Sequence, residues 1–515
     1  MRRAGDCTRQ PGDPLHPDYP NRGVICCLIP HNDSVLVTRG YCNHSTARHL
    51  TLLLGLLLPL IATLIAGCSQ VVTGTAVAAP DGTVMNATGQ VPDGGIPGPS
   101  DPAPVRGGSD TPDDRLAASV VTGVEQFWRQ EFAGRFGRRW TNIRDFVAAD
   151  PHDAATLPPC TRQSLDLTNQ ALYCPQLDSV VWDRTQLVPG LRAKFGDSAV
   201  IVALAHEMGH AVENRLGIDE NAQAREPARY PTILLEGMAD CYAGVTLRAV
   251  ADGRVPGLSS SPAEIDNALR GLLSFRDPVG LSMGNVAHGN AFDRASAFID
   301  GFDSGAGTCA GMTVAGSRFT ERPYSSQADA SRGGNLTLSV LLASMGPDVG
   351  GWFSRLASER GHPWSAPRLV SGGRCAVAGT DAQGPALFCP ATLSVSAVRD
   401  QLDAVLRRYG DYAGATVLAS RYALAAMVAM DRLVTGPDAG RTAVCLTGAY
   451  TGHLLDRTSG FELSPGDLDE AVDELLGEDL AARDAEGRAP AGDLGTDRVR
   501  QFRNGALSGP AGCGF

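Results

Sequence analysis

The sequence predicts an α+β protein, mainly helical, made of two similar halves with a minor edge sheet beside the central helix of each. Three observations predict it. Apolar residues recur every three to four positions between Leu116 and Phe132 and run unbroken from Ala199 to Leu204, which reads as helix. Ser179-Val180-Val181-Trp182-Asp183 is short and β-branched, which reads as strand. Motifs of the first half return in the second at nearly constant offsets.

Composition bounds the answer. A chain of 515 residues with 43% hydrophobic and 19% charged residues can bury a core and has room for two or three domains. The formal net charge of −12 and the lack of any Lys/Arg run exclude nucleic acid and an anionic membrane surface as expected partners.

Residues 1–49 are polar and without periodicity, and the apolar stretch Leu50–Ala66 is about 17 residues long, at the lower limit of a membrane span. It ends in Ile65-Ala66-Gly67-Cys68, which resembles the lipobox of bacterial lipoproteins. That resemblance implies a signal peptide over 1–67 cut before Cys68, whose thiol would carry the lipid and hold the chain at the extracytoplasmic face of the cell membrane. The long preamble suggests that translation begins at Val35 or Val37, so Cys7, Cys26, Cys27 and Cys42 are given no function. Residues 68–112 are rich in Gly, Pro, Ala, Thr, Ser and Asp, too poor in apolar surface to fold, and read as a flexible tether. Eight cysteines remain, an even number that suggests four disulfides in an exported chain.

From 113 to 312 a folded domain is expected. Asp113 or Asp114 can cap a helix carrying Leu116, Val120, Val124, Phe127, Trp128 and Phe132. The run 179–183 is expected to be a strand edging the site. The next helix carries Ala205-His206-Glu207-Met208-Gly209-His210. Four residues make about one turn, so His206 and His210 present two imidazoles on one face. Such nitrogens suit zinc, and Glu207 falls where a general base for an activated water is needed.

Glu236 and Asp240, in Leu234-Leu235-Glu236-Gly237-Met238-Ala239-Asp240-Cys241, are again four apart. Glu-x-x-x-Asp downstream of His-Glu-x-x-His resembles the gluzincin zinc peptidases. The resemblance implies Glu236 as third ligand of one zinc ion and Asp240 as the carboxylate that orients His206. Ala171-Leu172-Tyr173-Cys174-Pro175, Ala239-Asp240-Cys241-Tyr242-Ala243-Gly244, Ala287-His288-Gly289 and the series Arg294, Phe298, Gly301, Phe302, Gly305, Cys309 narrow it further. Together they resemble the putative neutral zinc metallopeptidase family of bacterial envelopes, over about Leu116 to Met312. The family implies a zincin-like fold, peptide or protein substrates and zinc-dependent hydrolysis. The chain departs from it at Ala211, where a further histidine is expected.

The second half, 336–515, follows a polar linker at 313–335 and reads as a degenerate copy. Cys160 and Cys174 recur as Cys375 and Cys389, and Cys241 and Cys309 as Cys445 and Cys513. Ala171-Leu172-Tyr173-Cys174-Pro175 recurs as Ala386-Leu387-Phe388-Cys389-Pro390, and Asp293, Arg294, Phe298 and Gly301 as Asp497, Arg498, Phe502 and Gly505. Retention in both copies predicts the disulfides Cys160–Cys174, Cys241–Cys309, Cys375–Cys389 and Cys445–Cys513. The polar site positions do not recur. His206, Glu207 and His210 map to Ser420, Arg421 and Leu424, and Glu236, Asp240 and His288 map to Gly440, Val444 and Gly492. Concerted loss is what one shared function predicts.

The expected activity is therefore that of a lipid-anchored zinc endopeptidase, with Glu207 as general base and His288 as the candidate donor to the oxyanion. Tyr242 is a weaker candidate for that donor, read mainly as core, and His152, His362 and His453 have no partner at ligand spacing. The rival expectation is a non-catalytic envelope lipoprotein that uses the copy for binding, with a vestigial or structural zinc. Retention of Glu207 with both histidines favours the enzyme, because a structural site has no use for a base.

Overall fold

The computed structural model describes residues 25–31, 34–40 and 104–515, apart from 154, 281–286, 318, 373–374, 376–379 and 458–459. The expected lipobox with Cys68, and the tether up to residue 103, lie outside the described residues. No helix among the described residues is long and apolar enough to cross a membrane.

Within residues 1–49, β1 (Ile25–His31) and β2 (Ser34–Gly40) pair antiparallel, His31 opposite Ser34. The sequence reading missed this hairpin. Its signal was two β-branched runs separated by Asn32-Asp33, residue types that favour tight turns.

The remainder begins earlier than the expected boundary at 113. β3 (Val105–Arg106) runs parallel to β4 (Asp145–Ala149), with Arg106 bonded to the Asp145 carboxylate. The four-stranded sheet continues through β6 (Ser179–Asp183), parallel to β4, to β5 (Ala171–Cys174), antiparallel to β6. The run 179–183 is thus an interior strand with every residue buried, and β5 is the edge strand beside it, with β3 at the opposite edge. Its lack of polar alternation is what a strand buried on both faces shows.

Helix α1 (Pro112–Phe136) starts at Thr111, not at Asp113 or Asp114. The Thr111 hydroxyl accepts from Asp114 N at 3.1 Å, and Pro112 presets the first helical φ. Asp114 instead accepts from Ser109 N and is ion-paired to Arg184. Then come α2 (Leu187–Phe195), α3 (Asp197–Leu216), α4 (Thr232–Ala251), α5 (Pro262–Leu273) and α6 (Ala291–Ser304). The apolar run Ala199–Leu204 makes α3 buried on all sides over its first half, the mark of a central helix. Gly217, in left-handed conformation, ends it.

The second half repeats this order: α7 (Leu338–Glu359), β7 (Leu369–Ser371), β8 (Ala386–Cys389), β9 (Ser394–Ala397), α8 (Arg399–Tyr409), α9 (Asp411–Ala429), α10 (Pro437–Leu455), α11 (Asp467–Gly477) and α12 (Gly495–Gly512). β9 is parallel to β7 and antiparallel to β8, and Cys389 faces Ser394 as Cys174 faces Ser179. All four expected disulfides are present.

Close helix contacts are also shared. A Cβ on Gly301 would lie 1.7 Å from Cys241 O, and one on Gly505 would lie 1.8 Å from Cys445 O. Glycine therefore sets the spacing of α4 on α6 and of α10 on α12. One apolar cluster, with Trp128, Phe292, Phe353 and Phe502 among its members, runs through both halves.

Candidate zinc site

The site sits where α3, α4 and α6 meet. Helix α3 supplies His206 and His210 one turn apart, and their rings lie edge to face with centroids 4.9 Å apart. Gly209 between them lets α4 come close, since a Cβ there would lie 2.9 Å from Ala239 Cα. That approach carries Glu236 to the histidines. Its Oε2 lies 3.2 Å from His206 Nε2 and its Oε1 3.7 Å from His210 Nε2.

The far side of each ring is fixed by a carboxylate. His206 Nδ1 donates to Asp240 Oδ1 at 2.7 Å, and His210 Nδ1 donates to Glu213 Oε2 at 3.1 Å. Arg294 of α6, 2% exposed, in turn donates through Nε and Nη2 to Asp240 at 2.8 and 2.7 Å. With both Nδ1 protons committed, each neutral imidazole offers a lone pair at Nε2. Both lone pairs face a carboxylate, which makes sense only with a cation or protons between them. Ligand atoms of His206, His210 and Glu236 all lie within 4.8 Å of one another, and buried Glu236 Oε2 has no hydrogen-bond donor. Two imidazoles and one carboxylate, each ring oriented from behind, fit a catalytic zinc ion.

Electrostatics agree. Burial would lower the His206 pKa, but Asp240, Glu236 and Glu207 outweigh it and push the imidazole up to about 9. His210 is likewise raised well above its usual range against burial, by Glu213 and Glu236. Burial works to raise Glu236, yet the two histidines hold it well below the usual carboxylate range. Burial also opposes ionisation of Asp240, but Arg294 and His206 keep its pKa low. A cation would take the place of these protons.

Glu207 and His288 open onto one cavity of about 320 Å³, shared with His206, Arg294, Ala171 and Asp277. The cavity wall from the sheet comes from Ala171, at the start of edge strand β5. Asp277 positions His288, accepting from its backbone N and that of Gly289 at 2.8 Å each, with His288 Nδ1 at 3.3 Å from Oδ1. The His288 side chain is 45% exposed. The structure thus brings together all six site residues predicted from sequence. Tyr242 is core, packed edge to face on Trp128. Sequence reading missed Glu213 and Asp277. Glu213 was within reach, three residues past His210 on the same face, whereas Asp277 acts across a loop and left no periodic signal.

At the matching positions of the second half, Arg421 is buried and donates to the carbonyls of Ala386, Gln383, Leu480 and Arg483. A Cβ on Gly440 would lie 1.9 Å from Ala482 O. The turn Leu480–Ala482 therefore fills the space that a ligand side chain would need there.

No curated protein and no solved structure matches the chain. Residues 95–311 match a family described as putative neutral zinc metallopeptidase, and the match ends before the second half. That region, which holds the His206–His210–Glu236 cluster and the cavity beside it, is similar to the putative neutral zinc metallopeptidase family.

Proposed function

We propose that the protein is a zinc-dependent endopeptidase, held at the extracytoplasmic face of the cell membrane by a lipid on Cys68, with a metal-free copy of the catalytic fold as its second half. The observation that carries the catalytic reading is the convergence of His206, His210 and Glu236 beside a cavity onto which Glu207 opens. A site meant only to hold structure has no need of a carboxylate aimed at an accessible space.

Zinc bound there would polarise the scissile carbonyl and acidify an attacking water. Glu207 accepts the water proton and passes it to the leaving nitrogen. His288, held by Asp277, donates to the oxyanion. Asp240 and Glu213 keep the two ligand rings in the tautomer that leaves Nε2 free, and Arg294 keeps Asp240 ionised. Four disulfides support an oxidising compartment, in line with export. The repeated element order and the paired glycine contacts support the tandem-copy reading. A second cavity shares Asp277 and Pro278 with the catalytic one and is walled by Leu463–Gly466, Leu468 and Asp469 of the second half. This supports a role for the copy in shaping the substrate cleft.

The test compares zinc content and peptide hydrolysis in wild type and Glu207→Gln. The variant should retain one zinc per chain while hydrolysis falls by about 10²–10⁴-fold. A wild type that binds zinc and cleaves no peptide would sink the reading in favour of a binding lipoprotein.

A further inference from the structure

The second half holds another set of convergent groups. Asp411 opens α9, Asp467 opens α11, and Glu470 follows one turn later; a carboxylate oxygen of each lies within 4.8 Å of the others. All three donors are hard oxygens, with no histidine or cysteine among them. Asp411 and Asp467 are each 4% exposed.

Backbone donors satisfy only part of the set. Leu336 N donates to Asp411 Oδ2 at 2.9 Å, Ser464 N to Asp467 Oδ2 at 2.9 Å and Tyr412 N to Glu470 Oε2 at 2.7 Å. Asp411 Oδ1 is buried with no donor at all.

Positive charge is close by but spent elsewhere. Arg332 pairs with Asp329 at 3.2 Å, and Arg322 donates to the carbonyls of Leu463 and Leu455. Asp329, which accepts from Ser464 Oγ, adds a further negative charge. Burial pushes Asp411 up to about 6; burial with repulsion from Asp411 pushes Glu470 up to about 8, and burial with repulsion from Asp411 and Glu470 raises Asp467 well above the usual carboxylate range. Three carboxylates this close do not ionise together without a counter-charge.

We infer that Asp411, Asp467 and Glu470 form a second metal site, for a hard divalent cation of the calcium type. The ion would bind the ends of α9 and α11 to one another. Asp411 is also tied to residues 335–336 through its bonds with Leu336 N and Asn335 Oδ1, so the same ion secures the segment that enters the second half. Calcium accepts carboxylates in irregular geometry and completes its shell with water, whereas magnesium requires a near-octahedral cage.

The corresponding elements of the first half lack the set. Asp197 pairs with Arg192 at 2.8 Å, Glu264 accepts from Ser261 N at 2.7 Å within its own helix cap, and the position of Glu470 holds Asn267. The second half therefore lost one metal constellation and carries another. This inference stands apart from the peptidase reading and survives its failure.

The test uses the full chain, stripped of metals and restored with one equivalent of zinc, titrated with calcium by calorimetry and by thermal unfolding. Wild type should bind one calcium and gain about 5 °C in Tm, saturating by millimolar calcium. Asp411→Asn/Glu470→Gln should lose both effects while keeping its zinc. Without calcium, that variant should unfold at or above the temperature of wild type, because crowded buried carboxylates are replaced by neutral amides. If it does not fold, terbium luminescence sensitised by the neighbouring Tyr412, displaced by calcium, reads the site in wild type directly. Failure of wild type to bind calcium or terbium, or an unchanged calcium response in the variant, overturns the proposal.

Discussion

Asp240 touches the most consequential groups in the molecule: it orients His206 and is the only carboxylate bonded to buried Arg294 among the described residues. Asp240→Asn should weaken zinc about 10–100-fold, because a neutral amide no longer supplies the carboxylate charge that holds the ring and raises its basicity. It should also cost about 3–5 kcal/mol in urea unfolding, since Arg294 is left buried without a counter-charge. Zinc binding should follow pH with a definite sign. In the metal-free protein His206 holds its proton up to about 9, so zinc must displace it. Affinity measured against a competing chelator should rise with pH, about tenfold per unit for each proton released, and the part owed to His206 should level off above 9. The stability that this proton lends the metal-free chain runs the other way. It is fully present below 6.5, the ordinary histidine value, and is lost as pH rises through 9. His288→Ala should lower kcat by about 10²–10³-fold and leave zinc content alone, because His288 lines the cavity but does not belong to the metal cluster.

At the scale of elements, glycine decides how close the helices come. Gly209→Ala should push α3 from α4 and separate Glu236 from the histidines. The expected result is weaker zinc binding together with a loss of about 1–3 kcal/mol, read by chelator competition and thermal unfolding. The sequence made α3 legible through its apolar run and α4 through its spacing of Glu236 and Asp240. It did not reveal that β6 is interior and β5 the edge, because a fully apolar strand says nothing about its neighbours. Nor did it show that Thr111 caps α1. Thr111, Asp113 and Asp114 are all competent capping residues, and only the path of the chain chooses among them.

For the molecule as a whole, the two halves share apolar core and polar ties. Asp266 of α5 accepts from Gly495 N and Thr496 N at 2.6 and 2.8 Å, and Arg276 pairs with Asp473 at 2.8 Å. Heat should therefore unfold residues 104–515 in one calorimetric transition. Two transitions would show that the shared core does not couple the halves.

What the sequence determined by itself was local or periodic: the spacings of His206 and His210 on α3 and of Glu236 and Asp240 on α4, the cysteine spacings repeated in both halves, and the absence of those polar residues at the matching offsets of the second. Spacing along a helix is fixed by its geometry, so residue types at the right intervals suffice. What only the tertiary structure decided was contact between elements distant in the chain. The pairing of Arg294 with Asp240, the support of His288 by Asp277, and the meeting of Asp411 with Asp467 and Glu470 depend on how helices cross, and burial, not periodicity, gives those meetings their energetic weight.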